Sequence, residues 1–351
     1  MSTLIAEQES LMPPQAEAEL DELLSRPSSA VVETMRRVPG DVLVLGASGK
    51  MGPTLTRMLR RAKDAAGDSG RVLAAARFSN PAAAAALHSH GIETVAADLM
   101  NPQDVRLLPE VPSIIFMAGQ KFGTADNPEQ AWAMNTVMPA YVADRFAGVR
   151  QVIFSTGCVY PNVPAASKGS HETDDLGPVG DYSNSCVGRE RVFTFFALKH
   201  RSPLSVFRLN YAIDLRYGVL VDIATKVLNG NPVDVTMGYA NVIWQGDANA
   251  RAIMCLEHAA CPPFIVNVTG SRTLSIRRLA ERFAELFDVE PNIIGEEAPE
   301  ALLSDASRAT NLFGPPSMPE DVMVEWVAAW LMRGGRTLNK PTHFERFDGK
   351  Y

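Results

Sequence analysis

The chain has 351 residues, which is enough for one large α/β domain or for two coupled lobes. Its 46% hydrophobic and 21% charged residues are typical of an ordinary soluble protein. The formal net charge of −7 gives no electrostatic reason to expect nucleic acid or an anionic membrane as a partner. The N-terminus shows no basic segment followed by an apolar core, and no apolar run approaches the roughly 20 residues that cross a bilayer.

The four cysteines show no spacing typical of metal ligands, and they are too few to form a disulfide scaffold for a chain of this size. They are Cys158, Cys186, Cys255 and Cys261. We therefore expect reduced thiols, no metal site and a cytoplasmic protein.

Residues 1–40 form an N-terminal arm that is rich in Ala, Glu and Leu. Its pattern predicts one or two short helices, interrupted at Pro27 and Pro39. We expect the arm to pack on the main domain or on a partner subunit, and its residues indicate no chemistry.

A glycine-rich turn between a strand and a helix begins the main part of the chain at residues 41–52. The uninterrupted apolar run from Val42 to Leu45 is typical of a strand that is buried on both faces. The helical spacing that starts at Pro53 places a helix N-terminus next to the turn, where it can bind a pyrophosphate. We therefore predict a dinucleotide site formed by Gly46, Ser48, Gly49, Lys50, Met51 and Gly52.

The end of the second predicted strand, residues 72–76, indicates which dinucleotide is bound. An Asp or Glu there holds the free 2′-hydroxyl of NAD, whereas an Arg accommodates the 2′-phosphate of NADP. Arg77 follows the strand, and no acidic residue occurs between Arg71 and Ile92. The pattern favours NADP, with help from Lys50; the alternative is that Arg77 is a solvated surface residue.

Further apolar segments alternate with helical patterns, and this alternation predicts a doubly wound parallel sheet of the Rossmann type. The helix predicted over 127–147 is interrupted at Pro139, which we expect to kink it. Another helix starts near Tyr182. The remaining predicted strands are 94–97 with Asp98 after it, 113–117 with Ala118 and Gly119 after it, 151–154, and 205–207 ending at Arg208.

The later part of the chain is more mixed, with helical patterns separated by short strand-like pieces. The helices are predicted at 218–229, 247–259 and 274–287. We expect a dinucleotide-binding domain over 41–210 and a smaller substrate-binding lobe with a C-terminal tail over 211–351, interleaved with that domain. Such a lobe would lie over the carboxyl ends of the strands, where ligands bind in this architecture.

Several motifs occur in an order that resembles the extended short-chain dehydrogenase/reductase superfamily, the NAD(P)-dependent sugar epimerases and dehydratases. The resemblance covers about residues 41–320, and it implies an NAD(P) cofactor and a carbohydrate-like substrate. The matching segments are the glycine turn at 46–52, Asp98-Leu99, 134–137 with Asn135, 155–160, Arg208-Leu209-Asn210-Tyr211, 305–309 and 312–314.

The resemblance also implies a catalytic triplet, and the chain departs from it at one position. Thr156 matches the Ser/Thr, Tyr182 matches the Tyr, and Asn135 matches the active-site Asn, but Cys186 stands where the family has a Lys four residues after the Tyr. That Lys stabilises the phenolate of the Tyr, because the pKa of a Tyr side chain is ordinarily near 10. A neutral thiol cannot stabilise the phenolate. The charged nicotinamide, Arg189 or Lys168 could take over this role of the Lys.

Three interpretations remain open. In the first, Tyr182 is the general acid/base and Thr156 polarises the substrate oxygen of an oxidoreductase or epimerase. In the second, the fold binds NAD(P) and a ligand as a sensor or structural protein without turnover. In the third, Cys186 is a nucleophile, although a lone Cys in an apolar helix is usually a packing residue.

The residues after Thr156 bear on the type of reaction. The family's dehydratases place an acidic pair there, and Gly157 and Cys158 supply no acid, which argues against sugar dehydration. Epimerisation or simple carbonyl/alcohol redox remains. The loop before Tyr182 also carries carboxylates that could face the substrate or could be solvated loop charges; they are Glu172, Asp174 and Asp175.

The substrate is predicted to be a sugar, a sugar acid or a nucleotide-sugar. Arg208 and Asn210 match family positions near the substrate, and Trp244 either lines the pocket or belongs to the core. The helices that carry Asn135 and follow Tyr182 have large apolar faces. In the family such helices form a dimer interface, so we expect a homodimer.

Overall fold

The computed structural model of the chain describes residues 12–121, 123 and 126–349. Within these ranges the helices, in chain order, are α1 Glu17–Leu24, α2 Ser29–Arg37, α3 Gly52–Ala66, α4 Pro81–His88, α5 Pro102–Arg106, α6 Pro128–Trp132, α7 Met138–Arg145, α8 Gly180–His200, α9 Val219–Leu228, α10 Gln245–His258, α11 Ile276–Phe287, α12 Ser307–Phe313 and α13 Glu320–Met332. A π-helical turn, Ala133–Val137, joins α6 to α7, and a 3₁₀ turn, Gly157–Val159, follows the fifth strand.

The strands of the same ranges divide into one large sheet and several two-stranded pieces. They are β1 Val42–Leu45, β2 Val72–Ala76, β3 Glu93–Ala96, β4 Ser113–Phe116, β5 Arg150–Thr156, β6 Val163–Pro164, β7 Leu204–Leu209, β8 Ala212–Ile213, β9 Val233–Asp234, β10 Tyr239–Ala240, β11 Ile243–Trp244, β12 Phe264–Val268, β13 Leu274–Ser275, β14 Ile293–Ile294 and β15 Glu300–Ala301.

The large sheet has the strand order β12-β7-β5-β4-β1-β2-β3, and every neighbouring pair is parallel. Because the chain moves outward from β1 to β3 and then returns to β4 on the other side of β1, the order reverses between β1 and β4. In open α/β sheets, ligands bind beyond the carboxyl ends of the strands at such a reversal. The predicted Rossmann-type α/β fold is therefore confirmed.

Burial explains why the first strands have few polar residues. All four residues of β1 and all five of β2 are buried, because helices cover both faces of the sheet. The strands predicted from apolar runs match β1 and β2 and differ from β3, β4, β5 and β7 by no more than two residues at either end. The edge strand β12 was not predicted.

A second apolar core, formed mainly by α9, α11 and α13, lies in the part of the chain that is predicted to be the second lobe. Leu20 and Leu24 of the arm are fully buried in that core. Arg61 of α3 donates a hydrogen bond to the Glu22 carboxylate of the arm at 2.9 Å. The described part of the arm, residues 12–40, therefore packs on both parts of this chain, which is one of the two arrangements predicted for it; residues 1–11 of the predicted arm lie outside the described residues.

No helix in the described ranges is long and apolar enough to cross a membrane. The same residues contain no group of His, Cys, Asp and Glu side chains that could hold a metal ion.

Candidate active site

A cavity of about 260 Å³ lies at the carboxyl ends of β4, β5 and β7. Its walls come from the glycine turn, the end of β5, the start of α8 and the chain near Thr342. Of the predicted site residues, the structure brings six to this cavity: Lys50, Met51, Gly119, Thr156, Tyr182 and Asn210.

The glycine turn has the close packing that a dinucleotide cradle requires. Gly46 has φ +86°, and a Cβ there would lie 2.7 Å from the backbone nitrogen of Ala118. A Cβ on Gly52 would lie 2.1 Å from the Ala47 carbonyl oxygen. Larger residues would therefore push the turn away from β4 and from the start of α3, whereas Ser48 and Gly49 are exposed on its open side. These residues fit a bound pyrophosphate.

The predicted adenosine-side residues lie at the ends of β2 and β3. Arg77 directly follows β2 and is exposed. Asp98 follows β3, is exposed, and accepts a hydrogen bond from the Met100 backbone N–H at 3.0 Å. The Leu99 side chain points into the core and is 5% exposed, so only its backbone can face a ligand.

Lys50 leaves the glycine turn and crosses to the other side of the cavity. Its ammonium donates to the Ala212 carbonyl at 3.3 Å and lies 3.9 Å from the centroid of the Tyr217 ring. Burial lowers the pKa of Lys50 to about 8, and Asp214 partly opposes this shift. Since Ala212 follows β7, these contacts do not place Lys50 beside Arg77, where we had expected it to help.

Tyr182 lies in the first turn of α8 and is hydrogen-bonded to Thr156 at the end of β5. Burial and the Cys186 thiol raise the pKa of Tyr182 well above its usual value, whereas the Arg189 guanidinium lowers it. The two residues that the family resemblance pairs are therefore brought together, in surroundings that favour the protonated phenol.

Cys186 is fully buried one helical turn after Tyr182. Burial raises the pKa of its thiol to about 11, so the thiol is protonated at neutral pH. A protonated thiol is a poor nucleophile, which weighs against the third interpretation.

Asn135 lies in the π-helical turn. Pro139 has no N–H to donate to the carbonyl four residues earlier, and the Met138 N–H bonds to the Ala133 carbonyl five residues earlier. Instead of the expected kink, the helix gains one widened turn. The turn holds the buried Asn135 amide so that it donates to the Gln120 carbonyl at 2.9 Å and to the Ser185 hydroxyl at 2.9 Å.

Arg189 is buried two helical turns after Tyr182 and lines the cavity. Its guanidinium donates to the Phe154 carbonyl at 2.9 Å and to the Asn135 side-chain oxygen. A Cβ on Gly119 would lie 2.1 Å from this guanidinium, so only glycine leaves room for it. Of the cations considered from the sequence, the structure brings Arg189 to Tyr182, whereas Lys168 is exposed in another cavity.

Lys121 is a cavity residue that sequence reasoning missed. Its ammonium lies 6.0 Å from the centroid of the Tyr182 ring and donates to the Thr342 carbonyl at 3.3 Å. Burial lowers the pKa of Lys121. Its place shortly after β4, on the same edge of the sheet as the end of β5, was the available signal.

Arg208 does not reach the cavity. Its guanidinium is paired with the Glu190 carboxylate at 2.7 Å and donates to the Tyr160 hydroxyl at 2.6 Å, and both partners are buried. Glu190 also accepts a hydrogen bond from the Ser155 hydroxyl. Arg208 thus ties β7 to α8 and to the end of β5, and we do not retain it as a substrate ligand.

Two residues for which substrate contact was one alternative, Trp244 and Glu172, are also structural, and Glu172 is not the solvated loop charge that was its other alternative. Trp244 is 3% exposed and packs edge-on against Trp326 in the second core, with ring centroids 6.1 Å apart. Glu172 is buried and accepts a hydrogen bond from the Asn267 backbone N–H at 2.8 Å. The other two loop carboxylates, on Asp174 and Asp175, are exposed and do not line the cavity.

Residues 42–209 match the NAD dependent epimerase/dehydratase family. This region holds the glycine turn and the Thr156–Tyr182 pair, so the part of the chain that forms the candidate site is similar to that family. No curated protein sequence matches the chain.

Solved structures with the same fold cover most of the chain. UDP-glucose 4-epimerase from Thermotoga maritima, with UDP-glucose, is 15% identical over 84% of this chain and 99% of its own, with a TM-score of 0.68. UDP-glucuronic acid 4-epimerase from Bacillus cereus, with NAD, is 14% identical over 84% of this chain and 96% of its own, with a TM-score of 0.69. The dTDP-glucose 4,6-dehydratase DesIV from Streptomyces venezuelae, with NAD, is 17% identical over 84% of this chain and 97% of its own, with a TM-score of 0.70.

Replacing Glu190 by Gln tests the structural role of the Arg208 network. The change leaves Arg208 buried without its counter-charge, so we expect a loss of about 3–5 kcal/mol in the free energy of unfolding. Urea titration followed by circular dichroism measures this loss. The exposed Glu290→Gln is the control, and equal stability of the two variants would show that the buried pair contributes nothing.

Proposed function

We propose that the chain is an NAD(P)-dependent oxidoreductase or epimerase that acts at a carbinol or carbonyl carbon of a carbohydrate. The observation that carries this proposal is the cavity that Tyr182 and Thr156 share with Met51 of the glycine turn. The family match over residues 42–209 supports it. Neighbouring structures that hold NAD support the choice of cofactor.

In this proposal, the exposed side of the glycine turn binds the pyrophosphate, and Asp98 and Arg77 face the adenosine. Ala118 and Gly119, which follow β4, would form one wall of the cofactor site. Because Gly119 has no side chain, the cofactor and Arg189 could approach each other there. The bound nicotinamide would supply the chemistry of hydride acceptance and return. The protein's own residues hold the substrate oxygen and move its proton.

Tyr182 is the group that takes or returns that proton, and Thr156 orients it. The hydrogen bond between them aims the phenol at the end of β5, where Thr156 can also polarise the substrate oxygen. A positioned acid or base of this kind contributes about 10²–10⁴ in rate.

Arg189 is proposed as the cation that replaces the family's Lys. Its guanidinium favours the phenolate of Tyr182, as an opposite charge does, and Asn135 and the Phe154 carbonyl fix its position. A guanidinium remains charged at every pH of interest, so the effect of Arg189 on the phenolate does not change with pH.

The alternative function is that of a catalytically impaired NAD(P)-binding sensor or structural protein with the same fold. The observation that favours it is the raised pKa of Tyr182, since burial and Cys186 outweigh the effect of Arg189. The two functions predict different results for the Tyr182 variant below.

We further propose a homodimer formed through α6, α7 and α8. These helices and the turn between them expose large apolar side chains at Trp132, Val137, Phe195 and Leu198, each at least 40% exposed. Large apolar side chains exposed on neighbouring elements are a feature of protein–protein interfaces. Sedimentation of the purified protein as a single 38.1 kDa species would contradict this proposal.

Replacing Tyr182 by Phe tests the acid/base assignment, because it removes only the hydroxyl. We expect the rate of substrate oxidation to fall by about 10²–10⁴ while cofactor affinity is unchanged. In the wild type, the raised pKa predicts that the oxidation rate increases from neutral to alkaline pH, because the base is the deprotonated phenol.

Stopped-flow absorbance of the reduced cofactor measures both effects, and Tyr239→Phe in the second lobe is the control. A wild-type protein that binds cofactor tightly without turning over any sugar or sugar acid would favour the sensor. Full activity of the Tyr182 variant would overturn the assignment.

Replacing Arg77 by Ala tests the choice of cofactor. We expect NADP affinity to fall about tenfold or more, which corresponds to about 1.4 kcal/mol, while NAD affinity stays the same. Calorimetric titration with each dinucleotide measures this, with the exposed Arg106→Ala as control. Equal losses for NAD and NADP would argue against recognition of a 2′-phosphate.

A further inference from the structure

A second cavity, of about 720 Å³, lies beside the second apolar core. Its walls come mainly from β13 and the loop before it, from the first half of α11 and from the first half of α13. Among the described residues, none lines both this cavity and the candidate active site. The family match ends at residue 209, before these elements begin. The cavity is therefore separate from the site described above.

The floor of the second cavity is apolar. Leu274, Leu279 and Val324 line it, and all three side chains belong to the second apolar core. The core holds them in place, so the floor is a rigid surface. A ligand that lies on this floor gains free energy by removing apolar surface from water. The floor therefore favours a ligand with an apolar body.

Three arginines line the same cavity, and two of them are already paired with carboxylates of α13. The Arg272 guanidinium lies 3.3 Å from the Asp321 carboxylate, and the Arg282 guanidinium lies 3.7 Å from the Glu325 carboxylate. Both of these carboxylates also line the cavity. The charges of Arg272 and Arg282 are therefore largely compensated.

Arg278 is the third of these arginines, and its charge is not compensated. Within the part of the chain that the structure describes, its guanidinium has no hydrogen-bond or ion-pair partner. Its backbone N–H donates to the Ser275 hydroxyl at 3.3 Å, which fixes the residue in the first turn of α11. The preceding Arg277 differs, because it pairs with Glu297 at 2.7 Å and does not line the cavity. The Arg278 guanidinium is thus available to a ligand.

The charges around Arg278 favour a carboxylate as its ligand. A guanidinium binds a carboxylate or a phosphate through two parallel hydrogen bonds. A phosphate monoester carries nearly two negative charges, and the carboxylates of Asp321 and Glu325 in the same cavity would repel it more strongly than they repel a single charge. One uncompensated guanidinium is matched by one carboxylate.

The volume of the second cavity agrees with a ligand of this kind. Its roughly 720 Å³ lies within the range of about 300–1,000 Å³ that is typical of small-molecule sites. Such sites combine apolar walls with a few polar groups that fix the orientation of the ligand. Here the apolar floor and the Arg278 guanidinium supply these two parts.

We propose that the second cavity binds a small organic acid, whose single carboxylate pairs with Arg278 and whose apolar body lies on the floor of Leu274, Leu279 and Val324. The proposal does not depend on the reaction under Proposed function, because none of these residues lines the candidate active site. Binding of the acid can be measured without cofactor or turnover.

The experiment is a ligand-observed NMR titration of the full chain with acids and their neutral amides. The pairs are benzoate with benzamide, 3-phenylpropanoate with 3-phenylpropanamide, and 4-methylpentanoate with 4-methylpentanamide. Acetate tests the need for an apolar body, and phenyl phosphate tests the dianion. We expect at least one acid of the three pairs to bind ten or more times more tightly than its amide and than acetate, and benzoate to bind more tightly than phenyl phosphate.

Arg278→Gln tests the position of the carboxylate, and Arg277→Gln is the matched control on the same helix. We expect Arg278→Gln to weaken binding of the acid about tenfold or more, while Arg277→Gln keeps the affinity of the wild type. Cofactor affinity, measured on the same samples, should be equal in all three proteins, which shows that the variants are folded.

Four results would overturn the inference: no binding of any of the three acids, amides that bind as tightly as their acids, phenyl phosphate that binds more tightly than benzoate, or acid binding that Arg278→Gln leaves unchanged. The last result would place the acid elsewhere, for example beside the lysines of the candidate active site.

Discussion

The buried guanidinium of Arg189 joins α8 to the carboxyl end of the sheet at the proposed active site. Its hydrogen bonds to the Phe154 carbonyl and to Asn135 join α8 to β5 and to the π-helical turn, and the missing side chain of Gly119 opens the space that it occupies. Tyr182 lies on the same helix, and the charge of Arg189 favours the ionised form of its phenol.

In the proposed site, Cys186 at the position where the family resemblance implies a Lys changes the electrostatics more than the geometry. Tyr182 still meets Thr156, and the glycine turn still has the packing of a cradle. The opposite charge, however, comes from two helical turns away and is partly shared with Asn135, so it offsets only part of the effect of burial. An enzyme built in this way would favour alkaline conditions for oxidation, whereas a sensor would need only the fixed geometry.

Local patterns predicted the parts of the fold that depend on local physics. The apolar run of β1 and the glycines after it predicted the sheet and the glycine turn. Burial on both faces requires apolar residues, and close backbone approach requires glycine. The roles of Arg208 and Trp244 were not predictable in this way, since an Arg at a strand end is the same residue whether it pairs with Glu190 or with a ligand. Thr342 reaches the cavity through its contact with Lys121, which joins distant parts of the chain and which no local pattern records.

A crystal structure with bound cofactor tests the central claim most directly, because it shows which group takes the place of the missing Lys. The claim predicts the Arg189 guanidinium within hydrogen-bonding distance of the nicotinamide ribose or of the Tyr182 oxygen, with Asn135 still in its π-helical turn. A cofactor bound with only apolar groups around its ribose and around Tyr182 would contradict it.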